Sequence, residues 1–276
     1  MRAWGLAPAG RCEYSNLCFD GQGRKRINAP MDALPKGKFM NLDLILVTGP
    51  LVGVSSWKPT ADCLRAAGAH VEVPNVLSGL KNPPAWSEWT AHLTSLVPIN
   101  GGQIFVGHSS ASALVAEMAG KFPCKGIIVV DGEIPPATGR TPPIRASFRQ
   151  YINGLADVDA ELPPWSRWFS NDPKRETLVG IDILRSREED FAVFESELPQ
   201  MNLRWFDDEI ELRSWDHVPA GFVQTSVIYE HAAEEALRRG WPVRRLSGTH
   251  LHPTLQPEET AAAIAATARE LVSGKA

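Results

Sequence analysis

From Met40 onward the sequence alternates between short apolar runs and amphipathic stretches of helix length, and that rhythm limits the fold more than any other feature. Leu42–Val47 reads as a buried strand, and Trp57–Ala67 as an amphipathic helix ended by Gly68. A strand at His70–Pro74, a helix around Ala85–Val97 and a strand at Gln103–Val106 follow. A helix rich in small residues, Ser110–Phe122, leads into a strand at Gly126–Val130. Strands alternating with helices of about ten or more residues imply right-handed crossovers and a mostly parallel α/β sheet. Ile127-Ile128-Val129-Val130 is apolar without alternation, as a strand covered on both faces must be.

The rhythm stops after Asp131. Residues 132–215 are punctuated by Pro135, Pro136, Pro142, Pro143, Pro163, Pro164, Pro173 and Pro199, and read as five to six short helical stretches with no strand-like run. It resumes with a strand at Ala220–Thr225, a helix at Glu230–Arg239, a strand at Pro242–Leu246 and an Ala-rich helix at Pro257–Val272. The expectation is one α/β core, residues 40–135 and 216–276, carrying a helical cap at 136–215. Long strandless insertions of this kind are usually lids over a site at the carboxyl ends of the strands. Residues 1–39 show neither helical nor strand periodicity and are expected to be an N-terminal extension without stable order.

Composition removes whole classes of function. With 28 basic and 32 acidic side chains the formal charge is −4, so the basic excess of a nucleic-acid surface is missing. No apolar run approaches the roughly 18–20 residues that cross a bilayer. Cys12, Cys18, Cys63 and Cys124 are too few and too scattered for a disulfide framework, and are expected to be reduced thiols of a cytoplasmic protein. His250-x-His252 has no third ligand nearby, so no metal is expected, and no cofactor is expected either.

One constellation carries chemistry. Gly107-His108-Ser109-Ser110-Ala111 falls between a strand and a helix, the setting of a nucleophile elbow. A sharp strand-to-helix turn lifts the Ser109 hydroxyl above the sheet and points the Ser110 N–H toward a developing oxyanion. The final strand leads into Ser247-Gly248-Thr249-His250-Leu251-His252, where His250 is the candidate base and His252 a packed or rim histidine. A histidine at the carboxyl end of that strand can reach Ser109 and take its proton.

In this order the motifs resemble those of α/β-hydrolase-fold serine hydrolases, especially small bacterial members with a helical cap. Those open on a strand, His-Gly-x-x-x-Gly and a Ser-Trp helix start. Here the opening reads Leu46-Val47-Thr48-Gly49-Pro50-Leu51-Val52-Gly53, then Ser56-Trp57, and the resemblance extends through Arg238-Arg239-Gly240-Trp241-Pro242 to Gly248-Thr249-His250. It implies a Ser-His-acid triad with two departures. The residue whose N–H normally serves the oxyanion is Pro50, which has none, so Leu51 and Ser110 are the expected donors. The acid usually follows the strand before the histidine strand, where this sequence has Ser226-Val227-Ile228 and only then Glu230. Some members, certain haloalkane dehalogenases among them, place it after the strand that follows the elbow helix, with a proline four residues on. Asp131 and Pro135 match that pattern, and both Asp131 and Glu230 stay open as the acid.

The insertion is rich in wide aromatic residues, and Trp86, Trp165, Trp168 and Trp205 are the expected substrate-binding set. Such a lid favours an apolar or aromatic substrate over a sugar or phosphate. The expected activity is hydrolysis of an ester, lactone or related bond in a hydrophobic small molecule. The rival readings are a C–C hydrolase or lyase on the same fold, or a ligand-binding protein with little turnover. Neither nucleic acid nor membrane is an expected partner; a homodimer is left open.

Overall fold

The computed structural model describes residues 41–274, together with a short antiparallel pair upstream, β1 (Leu17–Phe19) and β2 (Lys25–Ile27). The expected N-terminal extension otherwise lies outside the described residues.

A six-stranded parallel sheet forms the centre. Its strands are β3 (Asp43–Val47), β4 (His70–Glu72), β5 (Ile104–His108), β6 (Gly126–Val130), β9 (Ala220–Gln224) and β10 (Val243–Arg245), in the spatial order β10-β9-β6-β5-β3-β4. Every neighbouring pair is parallel. The chain runs from β3 out to β4 and then crosses back to β5 on the other side of β3. Strand order therefore reverses at β3, and in open α/β sheets ligands bind at the carboxyl ends beside such a reversal.

Alternate side chains of each strand point to opposite faces. Leu44, Leu46, Val106, Ile128 and Val223 pack under α1 (Lys58–Ala66) and α10 (Pro257–Val272). Ile45, Val47, Phe105 and Ile127 pack under α2 (Trp89–Leu96) and α3 (Ala111–Lys121), and Val129 and Phe222 under α8 (Glu230–Arg238). The short α9 (His252–Leu255) precedes α10 and is tied to the first crossover: Thr254 Oγ1 donates to the Ser56 carbonyl at 2.9 Å and Thr60 Oγ1 to the Pro253 carbonyl at 2.6 Å.

Between β6 and β9 the chain forms α4 (Ala146–Asn153), α5 (Pro173–Val179), α6 (Ile181–Arg185) and α7 (Glu188–Ser196), with 3-10 turns at Trp165–Arg167 and Leu203–Asp207. The expectation of no strand here is corrected. Gly139–Thr141 (β7) pairs antiparallel with Ile210–Leu212 (β8), the two ends of the segment meeting as a two-stranded neck. Three-residue strands are too short to display a period-2 pattern, and their partners lie far apart in sequence. Ile152, Trp165, Trp168, Phe169, Val179, Ile181, Phe194 and Phe206 make an apolar cluster that also takes in Leu51, Val52 and Leu251 of the core loops. Among the described residues no helix is long and apolar enough to cross a membrane.

Candidate active site

The elbow is built by steric necessity at two glycines. A Cβ on Gly107 would stand 2.5 Å from the Ala111 carbonyl oxygen, and one on Gly132 would stand 2.5 Å from that of Ser109. The turn between β5 and α3 can close only because both positions lack side chains. Ser109 takes φ +59°, a left-handed conformation that costs a non-glycine residue on the order of 1–3 kcal/mol. Its N–H donates to the Val130 carbonyl at 3.0 Å, and the Ser112 N–H donates to the Ser109 carbonyl at 3.1 Å, which fixes the turn from both sides.

Asp131 ends β6 and is also left-handed, at φ +44°. Because Val130 lies beside Val223 in the sheet, the Asp131 carboxylate faces the turn that follows β9. There Oδ1 accepts from the Thr225 N–H at 2.9 Å and the Ser226 N–H at 2.8 Å, while Oδ2 accepts from Ser226 Oγ at 2.7 Å. The fourth donor is His250 Nδ1, at 2.8 Å from Oδ2. The side chain is wholly buried, and burial alone would raise its pKa. The hydrogen bond and charge of His250, with the Ser226 bonds, outweigh that and hold the carboxyl below its ordinary value.

A carboxylate only accepts, so His250 Nδ1 carries the proton and Nε2 is left as an acceptor. Ser109 Oγ lies 3.0 Å from that Nε2. Ser109, His250 and Asp131 thus form a continuous hydrogen-bonded chain with the tautomer a general base needs. The His250 loop is held on its other side by the inserted segment, with the His250 and Leu251 N–H groups donating to the Leu178 and Val179 carbonyls at 3.0 and 2.9 Å. Beneath it, His108 Nε2 donates to the His250 carbonyl at 2.9 Å and its ring lies 4.5 Å from that of His250. Burial, then the neighbouring His250, push the His108 pKa down to about 3, so this ring is a neutral support.

Glu230 is placed elsewhere. Its carboxylate accepts from Gln224 Nε2 at 3.0 Å and from Arg245 Nη1, at the edge of the sheet, while the His250 ring is engaged by Asp131. His252 is buried and bonded to Glu259 at 3.3 Å.

A cavity of about 510 Å³ opens above Ser109. Gly49, Leu51, Ser109, Ser110 and His250 form its floor, and Pro142, Ile144, Phe148, Tyr151, Trp165, Phe169 and Val179 its walls. Both expected oxyanion donors, Leu51 and Ser110, therefore border it. Of the four expected tryptophans only Trp165 is among the lining residues. Trp86, Trp168 and Trp205 are not. Their indole N–H groups are spent on the carbonyls of Thr141, Pro163 and Pro84 at 3.2, 2.7 and 2.7 Å, and their rings pack into the cores. A buried indole finds an apolar slot with one acceptor more readily than it lines a void. Tyr229 and Arg175 line the cavity without having been expected. Arg175 stacks over Tyr151, 4.2 Å from the ring centroid, and Arg145 pairs with Glu133 at 3.1 Å. Tyr229 closes the turn after β9, where the sequence offered no carboxylate and so no catalytic cue.

The approach of the inserted segment to the first loop is equally close. Glu197 Oε2 accepts from the Ser55 N–H at 2.8 Å, and a Cβ on Gly53 would stand 2.2 Å from that oxygen. Gly53, the second glycine of the opening motif, is what lets the acidic side chain in.

Comparison with known proteins agrees with this fold. The α/β hydrolase family model matches residues 44–263. No curated protein matches the sequence. Among solved structures, an extracellular α/β-hydrolase from a Paenibacillus species, described as sharing structural and functional homology with tobacco salicylic acid binding protein 2, superposes with a TM-score of 0.62 at 16% identity, over 80% of this chain and 98% of its own. The pyrethroid hydrolase PytH gives 0.54 at 20% identity over 84% and 98%. A variant of tomato methylketone synthase I complexed with β-ketoheptanoate gives 0.58 at 15% identity over 84% and 100%. At such identities these likenesses concern the fold. The family model spans most of the chain, and the protein belongs to the α/β hydrolase family and is a hydrolase of that fold.

Proposed function

We propose that the protein is a cofactor-independent serine hydrolase that cleaves an ester, lactone or related bond in a hydrophobic or aromatic small molecule. The observation that carries this reading is the chain Ser109 Oγ, His250 Nε2, His250 Nδ1, Asp131 Oδ2, with spacings of 3.0 and 2.8 Å, at the floor of an apolar cavity. Ser109 Oγ attacks the carbonyl carbon while its proton passes to His250 Nε2. Asp131 stabilises the imidazolium and keeps its own charge. The tetrahedral oxyanion is held by the N–H groups of Ser110 and Leu51. Collapse expels the leaving group, which takes the proton from His250, and water then repeats the sequence on the acyl-enzyme. Asp131 is the acid in this reading, and residues 136–215 act as the lid that excludes water and selects the substrate.

The cavity supports the substrate class. A space of about 510 Å³ lies within the range of small-molecule sites, and its walls are mainly Pro, Ile, Phe, Trp and Val. Free Cys63 and Cys124 are consistent with a reducing, cytoplasmic setting. Pro50 favours a second reading. With one backbone donor fewer beside the elbow, C–C cleavage or elimination without an acyl-enzyme becomes competitive.

A panel of aryl esters, alkyl esters and lactones assayed with the wild type and Ser109→Ala tests the proposal. Turnover of apolar esters that vanishes in Ser109→Ala supports it. Turnover that survives the substitution contradicts it.

A further inference from the structure

Tyr229 presents a phenol at the reacting centre that the triad does not use. The residue ends the 3-10 turn Val227–Tyr229, whose N-cap Ser226 accepts from the Ile228 N–H at 3.2 Å. Ser226 Oγ also donates to Asp131, so the turn that carries Tyr229 is anchored to the triad acid. The Tyr229 ring lies 5.6 Å from the His250 ring, inclined at 31°, and borders the cavity on that side. Its hydroxyl lies near that of Ser109. Ser109 gives its own proton to His250 Nε2, which leaves the Tyr229 O–H free to donate at the reacting centre.

Attack changes what that donor can bind. When Ser109 Oγ bonds to a carbonyl carbon it becomes an ester-type oxygen and a weaker acceptor for a neighbouring O–H. The oxyanion develops on the Leu51 and Ser110 side. The leaving-group oxygen comes to the other side, where His250 must protonate it and where Tyr229 sits beside His250. We propose that Tyr229 is a catalytic hydrogen-bond donor to the leaving-group oxygen. The proposal rests on the serine-hydrolase reading given above.

In balanced form, the Ser109 Oγ–C bond forms as the Ser109 proton moves to His250 Nε2. The C–O bond to the leaving group then breaks as that proton moves to the departing oxygen. The Tyr229 O–H donates to the same oxygen in the second step and keeps its proton. Burial, together with the nearby Asp131 and Glu133 charges, pushes the phenol pKa up to about 12, so the donor stays protonated at every working pH. A donor here offsets part of what Pro50 removes on the opposite side.

The test is a leaving-group series. Wild type and Tyr229→Phe, which keeps the ring against His250, are assayed on esters of one acyl group with alkyl, phenyl and p-nitrophenyl leaving groups. The expected result is a loss of about 10²-fold in kcat/KM on the alkyl ester, little change on the p-nitrophenyl ester, and a steeper dependence on leaving-group pKa. A good leaving group needs no donor, whereas a poor one does. A uniform loss across the series would make Tyr229 a packing residue and overturn the proposal, as would no loss at all. If the wild type cleaves none of the esters and Ser109 resists acylating probes, the hydrolase reading itself fails and takes the proposal with it. That outcome is distinct, because the wild type shows it.

Discussion

Asp131 and His250 stand 119 residues apart, yet Asp131 Oδ2 accepts the His250 Nδ1 proton at 2.8 Å with both side chains buried. The same carboxylate is held by three donors from Thr225 and Ser226, so the turn after β9 clamps a carboxylate that belongs to the neighbouring strand. The charge needs its imidazole partner, and the imidazole needs the charge.

That pairing predicts unequal effects of two conservative substitutions. Asp131→Asn removes the acceptor for Nδ1–H and lets the ring adopt the wrong tautomer, so kcat falls by about 10³–10⁴-fold. Glu230→Gln disturbs a half-exposed contact with Gln224 and Arg245, and kcat stays within about twofold of wild type. Steady-state kinetics on one ester, with circular dichroism to confirm folding, reads both.

Acid titration should report His108. Its folded pKa of about 3 lies below the ordinary histidine value of 6.5, so the unfolded chain binds the extra proton between those limits. Stability from this group is complete above about pH 6.5 and declines as pH falls toward 3, by at most about 1.4 kcal/mol per pH unit. Buried His252, whose pKa burial also lowers, adds in the same sense. Exposed His70, whose bond to Asp43 raises its pKa, acts weakly in the opposite one. Urea midpoints measured from pH 7 to 4 should drop more steeply for wild type than for His108→Gln.

The elbow should not tolerate one added methyl group. Gly132→Ala drives a Cβ to within 2.5 Å of the Ser109 carbonyl oxygen, backbone that cannot yield without unwinding the turn. The expected cost is about 1–3 kcal/mol of stability, with loss of most activity even where the fold survives. Thermal unfolding and ester turnover measured together separate these effects.

The parallel sheet was legible because buried strands such as Ile127–Val130 and the helices between them carry strong local periodicity. The elbow was legible because Gly107-His108-Ser109-Ser110-Ala111 encodes its own sterics in five neighbouring residues. The carboxylate partner of His250 was not, since choosing between Asp131 and Glu230 needs the sheet register that sets Val130 beside Val223. The neck between β7 and β8 is likewise a non-local pairing of three-residue strands. The tryptophans misled because composition shows how many wide side chains a segment owns and not which way each one faces. Only Trp165 reached the cavity, while Phe148, Tyr151 and Phe169 supply much of its wall. Tyr229 stands in a turn, residues 226–229, whose sequence carries no charged side chain.

The most direct test of the account is intact-mass analysis after exposure to a fluorophosphonate probe, which bonds covalently to an activated serine. The account predicts one adduct on the wild type, mapped to Ser109, absent from Ser109→Ala and formed far more slowly in Asp131→Asn. A folded wild type that takes up no adduct, or an adduct that persists in Ser109→Ala, would contradict it.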